Sequence, residues 1–413
     1  DYMRFKICGV LVYISYVLST GVVMKVSILG HGVVGKGVFD MLASCPEHQI
    51  DQVLVRQGHA DPQKDYMVDS IEDVLDSDSQ LVIECMGGID PAFEYVHMCM
   101  EAGKSIITAN KALVASHGIE LEALARKKGL SFLFSAACGG AIPILQNLFL
   151  ARQTDQILWA GGILNGTTNY ILDAMDKRSL SFEQALTEAQ NLGYAESDPT
   201  ADITGLDTLR KVQLLDMVAF NLLPESGFDM EGIQHIKTDD FEVAKKLGYT
   251  IRLVGRTGLA QNGGVYAYVE PILCSRSSQY AGVDTNLNLA QYKGENCGVM
   301  TLCGQGAGRY PTASAVLRDV SSVSSGQKSM LEGTCTKGAV TNDAIECLKR
   351  YFIRIDNAHF ELLGSVLRAS NVIERKENEV YLVAGEMNVK EMHENARNMR
   401  AQGARVFFAE YED

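Results

Sequence analysis

Positive charge is scarce in this chain. Its 413 residues carry 37 lysines and arginines against 51 aspartates and glutamates, a formal net charge of -14. No basic stripe offsets that balance, which excludes the phosphate-neutralising surface that a nucleic acid or an anionic membrane requires. CxxC pairs and zinc-type ligand spacings are also missing. The ten cysteines lie scattered, mostly within apolar runs, as small hydrophobes do in a reducing cytoplasm. There is no internal repeat and no low-complexity tract. What is present, 46% hydrophobic and 21% charged residues, belongs to an ordinary globular protein of two or three domains working on small molecules.

One long uncharged run stands out. Ile7 to Val23 follows Arg4 and Lys6 and resembles a signal or anchor segment. Met24 then opens directly into a strand and a glycine-rich loop, with no cleavage region or linker between. Residues 1–23 are therefore expected to be an unfolded extension, with Met24 as the working start.

From Lys25 the pattern is that of alternating strands and helices. The strand Lys25 to Leu29 runs into Gly30-His31-Gly32-Val33-Val34-Gly35 and a helical pattern. In such a loop the first glycine permits the tight turn, the second lets backbone approach a pyrophosphate, and the third allows close packing of helix on strand. The second strand, Gln52 to Val55, ends not in the acid that grips a ribose 2'-hydroxyl but in Arg56, which suits a 2'-phosphate. NADP is thus the preferred cofactor, with NAD open. A strand at Gln80 to Cys85 leads to Met86, Gly87 and Gly88, expected near the nicotinamide. Helix Pro91 to Ala102, strand Lys104 to Thr108, helix Leu113 to Lys128 and strand Ser131 to Ser135 follow, with Lys111 at a strand's carboxyl end. The alternation predicts a Rossmann-type doubly wound parallel sheet over residues 24–150, in an α/β protein.

Residues 151–320 change texture, as an α+β substrate-binding and dimerising domain does. Tyr249 to Leu259 and Gly264 to Leu273 read as adjacent antiparallel strands. The turn at Gly306 opens a helix placed to return to the cofactor. A Ser, Gly and Thr-rich linker, 321–349, precedes a strand, helix, strand, strand, helix, strand order over 350–413, with the first helix at Phe360 to Ala369. That order is ferredoxin-like.

The chemistry concentrates in GYAESDPTADITGLDTLRK, Gly193 to Lys211. Asp207 and Lys211 are an i, i+4 pair on one helical face, suited to proton transfer or to a plain solvated salt bridge. Upstream, GGILNGTTNYIL breaks two apolar stretches with a polar run that suits a small polar ligand, Gly166 and Thr167 included, or a helix start capped by Thr167 or Thr168.

Taken together, GHGVVGKGV, ITANKALVASHG, CGGAIPI, GGILNGTTNYIL, the Gly193–Lys211 segment and GQGAGRYPTASAV resemble homoserine dehydrogenase over roughly Met24 to Val320. The resemblance implies NAD(P)-dependent interconversion of L-homoserine and L-aspartate 4-semialdehyde on the route to threonine and methionine, in a homodimer or homotetramer. It implies that Glu196 holds the substrate's amino end and that Asp207 contacts substrate and orients Lys211. Lys111 and Lys211 would flank the reacting oxygen, and Asp202 would support them. A lysine of depressed pKa is the expected base. The family's glutamate near its carbonyl-bound sodium is Ser135 here, leaving Cys138 and Gly140 as candidate sodium ligands. The tail resembles an ACT domain without the Pro-Gly usual at its first turn. Two other functions compete: an acylating aldehyde dehydrogenase with Cys138 as nucleophile and His117 nearby, and a non-catalytic NAD(P) or amino-acid sensor.

Overall fold

The computed structural model describes residues 23–261, 263–331, 333–364 and 370–412. The expectation for residues 1–22 lies outside them. Strands β1 (Met24–Leu29), β2 (His48–Leu54), β3 (Met67–Val68), β4 (Leu81–Glu84), β5 (Ser105–Thr108) and β6 (Phe132–Leu133) form a six-stranded sheet of order β3-β2-β1-β4-β5-β6. Every pairing in it is parallel. The central strands are near-continuous apolar runs because helices cover both faces: Val26, Ile28, Val82, Ile83, Ile106 and Ile107 are all buried. The doubly wound sheet expected from sequence is therefore present.

Strand limits shifted where pairing, not hydrophobicity, sets them. β2 begins at His48 because His48 to Ile50 pair with Met24 to Val26, although their side chains are too polar to mark a strand. The helix expected from Leu113 starts at Lys111, since Asn110 caps it by accepting from the Leu113 amide.

A second, mixed sheet is built from β7 (Ile157–Ile163), β9 (Asp229–Met230), β10 (Tyr249–Leu259), β11 (Val265–Ser275), β12 (Leu287–Gly294), β13 (Gly298–Gln305), β15 (Leu348–Asp356), β16 (Asn371–Arg375), β17 (Glu379–Asn388) and β18 (Val406–Tyr411). β10 and β11 pair antiparallel over their full lengths, as anticipated. The β12–β13 hairpin was not anticipated, because its outer strand is an edge with Val299 and Met300 exposed and no clean alternation. β8 (Leu222–Ser226) and β14 (Thr336–Ala339) make a small parallel pair, so the stretch read as a linker is partly ordered and buries Met330 and Leu331.

In the tail the strand order is β18-β15-β17-β16, with each pair antiparallel. This is the ferredoxin-like arrangement. The first helix expected there is described only as a 3-10 turn, Asn357–Leu363, and the remainder of Phe360 to Ala369 falls largely outside the described residues. The tail sheet is not separate, because β18 pairs with β11 through Ile272–Glu410 and Leu273–Tyr411. Among the described residues no helix is long and apolar enough to cross a membrane.

The helix Arg309–Ser324 packs against the helix Val33–Leu42 that follows the glycine loop. Gly37 makes this possible, since a Cβ there would sit 2.8 Å from the Arg309 carbonyl oxygen. Gly35 is tighter still: a Cβ would lie 1.9 Å from the Gly30 oxygen. Gly35→Ala is expected to cost about 1–3 kcal/mol, measured as a fall in the urea midpoint at unchanged slope.

Candidate active site

The helix Leu206–Phe220 starts at Gly205, whose positive φ of 88° lets the chain turn sharply into it. Asp207 and Lys211 lie one turn apart on its buried face. Lys211 Nζ is 2.7 Å from Asp207 Oδ2 and donates to the Leu164 carbonyl at 2.5 Å. The other carboxylate oxygen, Oδ1, takes Lys111 Nζ at 3.0 Å. One carboxylate thus holds a lysine on each oxygen. The two cations differ in access, with the Lys111 side chain 36% exposed and that of Lys211 10%.

Asn165 completes the cluster. Its Nδ2 donates to Asp202 Oδ1 and Asp207 Oδ2, each at 2.7 Å, while its Oδ1 accepts from the Thr168 amide. Asn165, not Thr167 or Thr168, is the cap of the helix Gly166–Arg178, because it precedes the first helical residue with an extended backbone while both threonines already lie inside the helix. The Thr167 hydroxyl donates to the Tyr194 carbonyl at 2.6 Å, tethering the loop that carries Glu196. Glu196 itself is exposed, and among the described residues its carboxylate makes no hydrogen bond or ion pair, so the structure does not join it to the Asp207 cluster.

Burial acts most strongly on both members of the central pair, lowering the Lys211 pKa and raising that of Asp207. The opposite charge and hydrogen bond across 2.7 Å outweigh it. The net result is a Lys211 pKa above the ordinary lysine value and an Asp207 pKa below the ordinary carboxylate value. The expected depressed lysine is thus corrected: the neighbouring acid, which composition alone cannot weigh against burial, decides the sign. Asp202 is pushed upward by burial and by the Asp207 charge, against the Asn165 hydrogen bond.

Lys111 is aimed by a network absent from the expectations. Buried Glu84, closing β4, accepts from the Met86 amide at 2.7 Å and from the Thr108 hydroxyl. That hydroxyl accepts from the Asn110 amide at 3.0 Å, and Asn110 Nδ2 donates to the Gly88 carbonyl. A carboxylate ending the apolar strand Leu81–Glu84 was the available signal.

The glycine loop fits a dinucleotide. Gly30 has φ of 96° and a Cβ there would meet the Cys85 carbonyl oxygen at 2.9 Å, whereas nothing lies within 4 Å of a Cβ on Gly32. Gly32 caps the helix Val33–Leu42 without a side-chain hydrogen bond, leaving the first amides, at Val33 and Val34, for an anion. Met86 and Gly87 follow β4 at the same sheet end, and Arg56 is exposed after β2. Gly306 packs on Gly140, where a Cβ would come within 2.6 Å of the Gly306 oxygen. Gly306 also makes room for Asn288, a fully buried amide with neither polar atom paired.

A family model described as "Homoserine dehydrogenase" matches residues 143–321, and one described as "Homoserine dehydrogenase, NAD binding domain" matches residues 30–135. The homoserine dehydrogenase of Lactococcus lactis is 35% identical over 317 residues, 72% of this chain and 73% of the relative. The chain belongs to the homoserine dehydrogenase family. That of Corynebacterium glutamicum is 41% identical over 248 residues, 59% of this chain and 56% of the relative. A crystal structure of a homoserine dehydrogenase from Thiobacillus denitrificans superposes with a TM-score of 0.81 at 30% identity, covering 94% of this chain and 98% of that one.

Within this family member the reading of Cys138 as a nucleophile is not favoured. It is 1% exposed, and burial pushes its thiol up to about 12 despite the nearby Lys211 and Lys111 charges. His117, its suggested partner, instead stacks on Phe93 at 4.0 Å between ring centroids and faces Glu120. At neutral pH a thiol reagent is expected to label exposed Cys297 and Cys303 well before Cys138, read by peptide mass spectrometry. Early labelling of Cys138 would revive the acylating mechanism.

Proposed function

We propose that this chain interconverts L-homoserine and L-aspartate 4-semialdehyde, with NADP favoured over NAD because exposed Arg56 stands where a ribose-binding acid would. The observation carrying the reading is Asp207 holding Lys111 on one oxygen and Lys211 on the other. Two ammonium groups fixed in this way supply an electrophile and a proton carrier for one substrate oxygen.

The bound dinucleotide supplies a nicotinamide that accepts or returns hydride. Gly30, Gly32, Val33 and Val34 would hold its pyrophosphate, with Gly35 letting the helix pack closely enough on the strand to present them, while Met86, Gly87, Lys111 and Gly306 would line the nicotinamide end. The chain's own residues handle the proton. When the aldehyde is reduced, the Lys211 ammonium polarises the carbonyl and protonates the forming alkoxide. When the alcohol is oxidised, neutral Lys211 takes the hydroxyl proton. Asp207 fixes both lysines, and Asp202 shares Asn165 with it. Gly166 and Thr167, in the first turn after Asn165, meet the amino-acid end of the substrate. Glu196, on the loop tethered through Tyr194, holds its ammonium group.

Residues 24–150 are assigned to the cofactor domain, 151–320 to the substrate and dimerisation domain, and 350–413 to an ACT-like module, in a cytoplasmic homodimer or homotetramer. The sensor reading leaves two lysines shared by one carboxylate without a task.

Homoserine-dependent reduction of each cofactor, followed spectrophotometrically, tests the activity. Lys211→Ala is expected to lower turnover by about two to four decades with the circular dichroism spectrum retained. Glu196→Gln should chiefly raise KM for homoserine, and a loss confined to turnover would count against its role. The raised Lys211 pKa fixes the pH dependence. Below that pKa the lysine is charged, so the base form grows as pH rises. Alcohol oxidation should climb about tenfold per pH unit between pH 7 and 9 while aldehyde reduction does not rise. An oxidation rate independent of pH over that range would remove Lys211 as the base.

A further inference from the structure

The loop Ser135–Ile142 passes close enough to Lys211, Lys111 and Asp207 for their charges to act on Cys138. Adjacent residues of one helix, Arg309–Ser324, grip its two ends. At the first end, buried Asp319 accepts from the Ser135 backbone amide at 2.9 Å, from the Ser135 hydroxyl, and from Gln146 Nε2 at 3.1 Å. At the second, Arg318 Nη2 donates to the Ala141 carbonyl at 3.0 Å, while the Ala141 amide donates to the Gln305 carbonyl. Between these grips the Cys138 and Gly140 carbonyls accept no hydrogen bond among the described residues.

Those two carbonyls are the candidate sodium ligands, and the residues around them do not fit the ion. Position 135 offers a neutral hydroxyl, and both that hydroxyl and the Ser135 amide donate to Asp319. Both Asp319 oxygens are already engaged in holding the loop. A guanidinium cation lies on the carbonyl next to Gly140, where it repels a second positive charge.

We propose that Arg318 is a positioning residue whose guanidinium supplies, from within the chain, the positive charge that steadies this loop beside Lys211, making catalysis independent of sodium and potassium. The proposal rests on the dehydrogenase reading above. It treats Arg318 and Asp319 as a cation and anion delivered side by side to the two ends of one loop.

The test begins with full-length enzyme in choline-buffered, sodium-free and potassium-free solution, titrated with sodium or potassium chloride at constant ionic strength. Turnover with homoserine and Tm should both stay at their choline values. A saturable rise of either with sodium or potassium would overturn the proposal. Arg318→Ala should lower turnover about ten- to a hundredfold, with partial recovery on adding ethylguanidinium but none on adding tetramethylammonium. Unchanged turnover in that variant, or a loss in a natively folded variant that ethylguanidinium does not relieve, would also overturn it. Should Arg318→Ala not fold, Arg318→Lys, which keeps a cation, must retain more turnover than Arg318→Gln. Equal turnover in the two would end the idea. Wild-type enzyme inactive with homoserine in every salt would sink the dehydrogenase reading instead, while the sodium dependence of Tm would still test the loop.

Discussion

A buried carboxylate shared between two lysines is the constraint on which the rest of this structure depends. Removing charge from water is costly, and it is tolerated only where partners and hydrogen bonds replace the lost solvent. Asp207 meets that condition with Lys211 and Asn165 on one oxygen and Lys111 on the other. The three partners come from different places. Lys211 is on the same helix, Asn165 caps another, and Lys111 opens the helix after β5. The carboxylate therefore works as a joint between the helix that follows β5 of the parallel sheet and the helices packed on the mixed sheet.

Much of this was legible in the residues themselves. The i, i+4 spacing of Asp207 and Lys211 fixes their shared face before any tertiary contact forms, and the glycines at 30, 32 and 35 have the spacing their backbone environments require. The central strands were visible because burial on both faces leaves only apolar residues in them. Properties set by distance in space were not legible. The direction of the Lys211 shift depends on whether burial or Asp207 dominates, a comparison that needs the 2.7 Å separation. Glu84 looks in sequence like the end of a strand, yet it organises the Thr108, Asn110 and Gly88 contacts that aim Lys111. The edge hairpin β12–β13 escaped notice because an edge strand with one exposed side has no strict alternation to reveal it.

The same electrostatic economy recurs where the tail meets the body. Arg354, fully buried, bonds Asp240 at 2.7 Å and Glu379 at 3.2 Å, while His393 faces Glu270 at 2.9 Å and Arg256 faces Glu410 at 2.8 Å. Each pair joins tail residues to one another, to the mixed sheet or, through Asp240, to the helix Thr238–Lys246, and each would leave an uncompensated buried group if one partner were lost. These contacts make the attachment specific, since an apolar seam alone would tolerate sliding.

The short pairing of β18 with β11 has a consequence for the edge of the mixed sheet. β11 is buried along nearly its whole length, and opposite its full-length partner β10 it is met among the described residues by Thr341 and Asn342 at Val265 and Ala267, by β9 at Tyr268 and Val269, and by β18 at Ile272 and Leu273. Without the tail, the stretch around buried Ile272 and Leu273 would present bare amides and carbonyls, a template for strands from other molecules. The last strand of the C-terminal module thus caps an edge that the rest of the chain leaves open at Ile272 and Leu273.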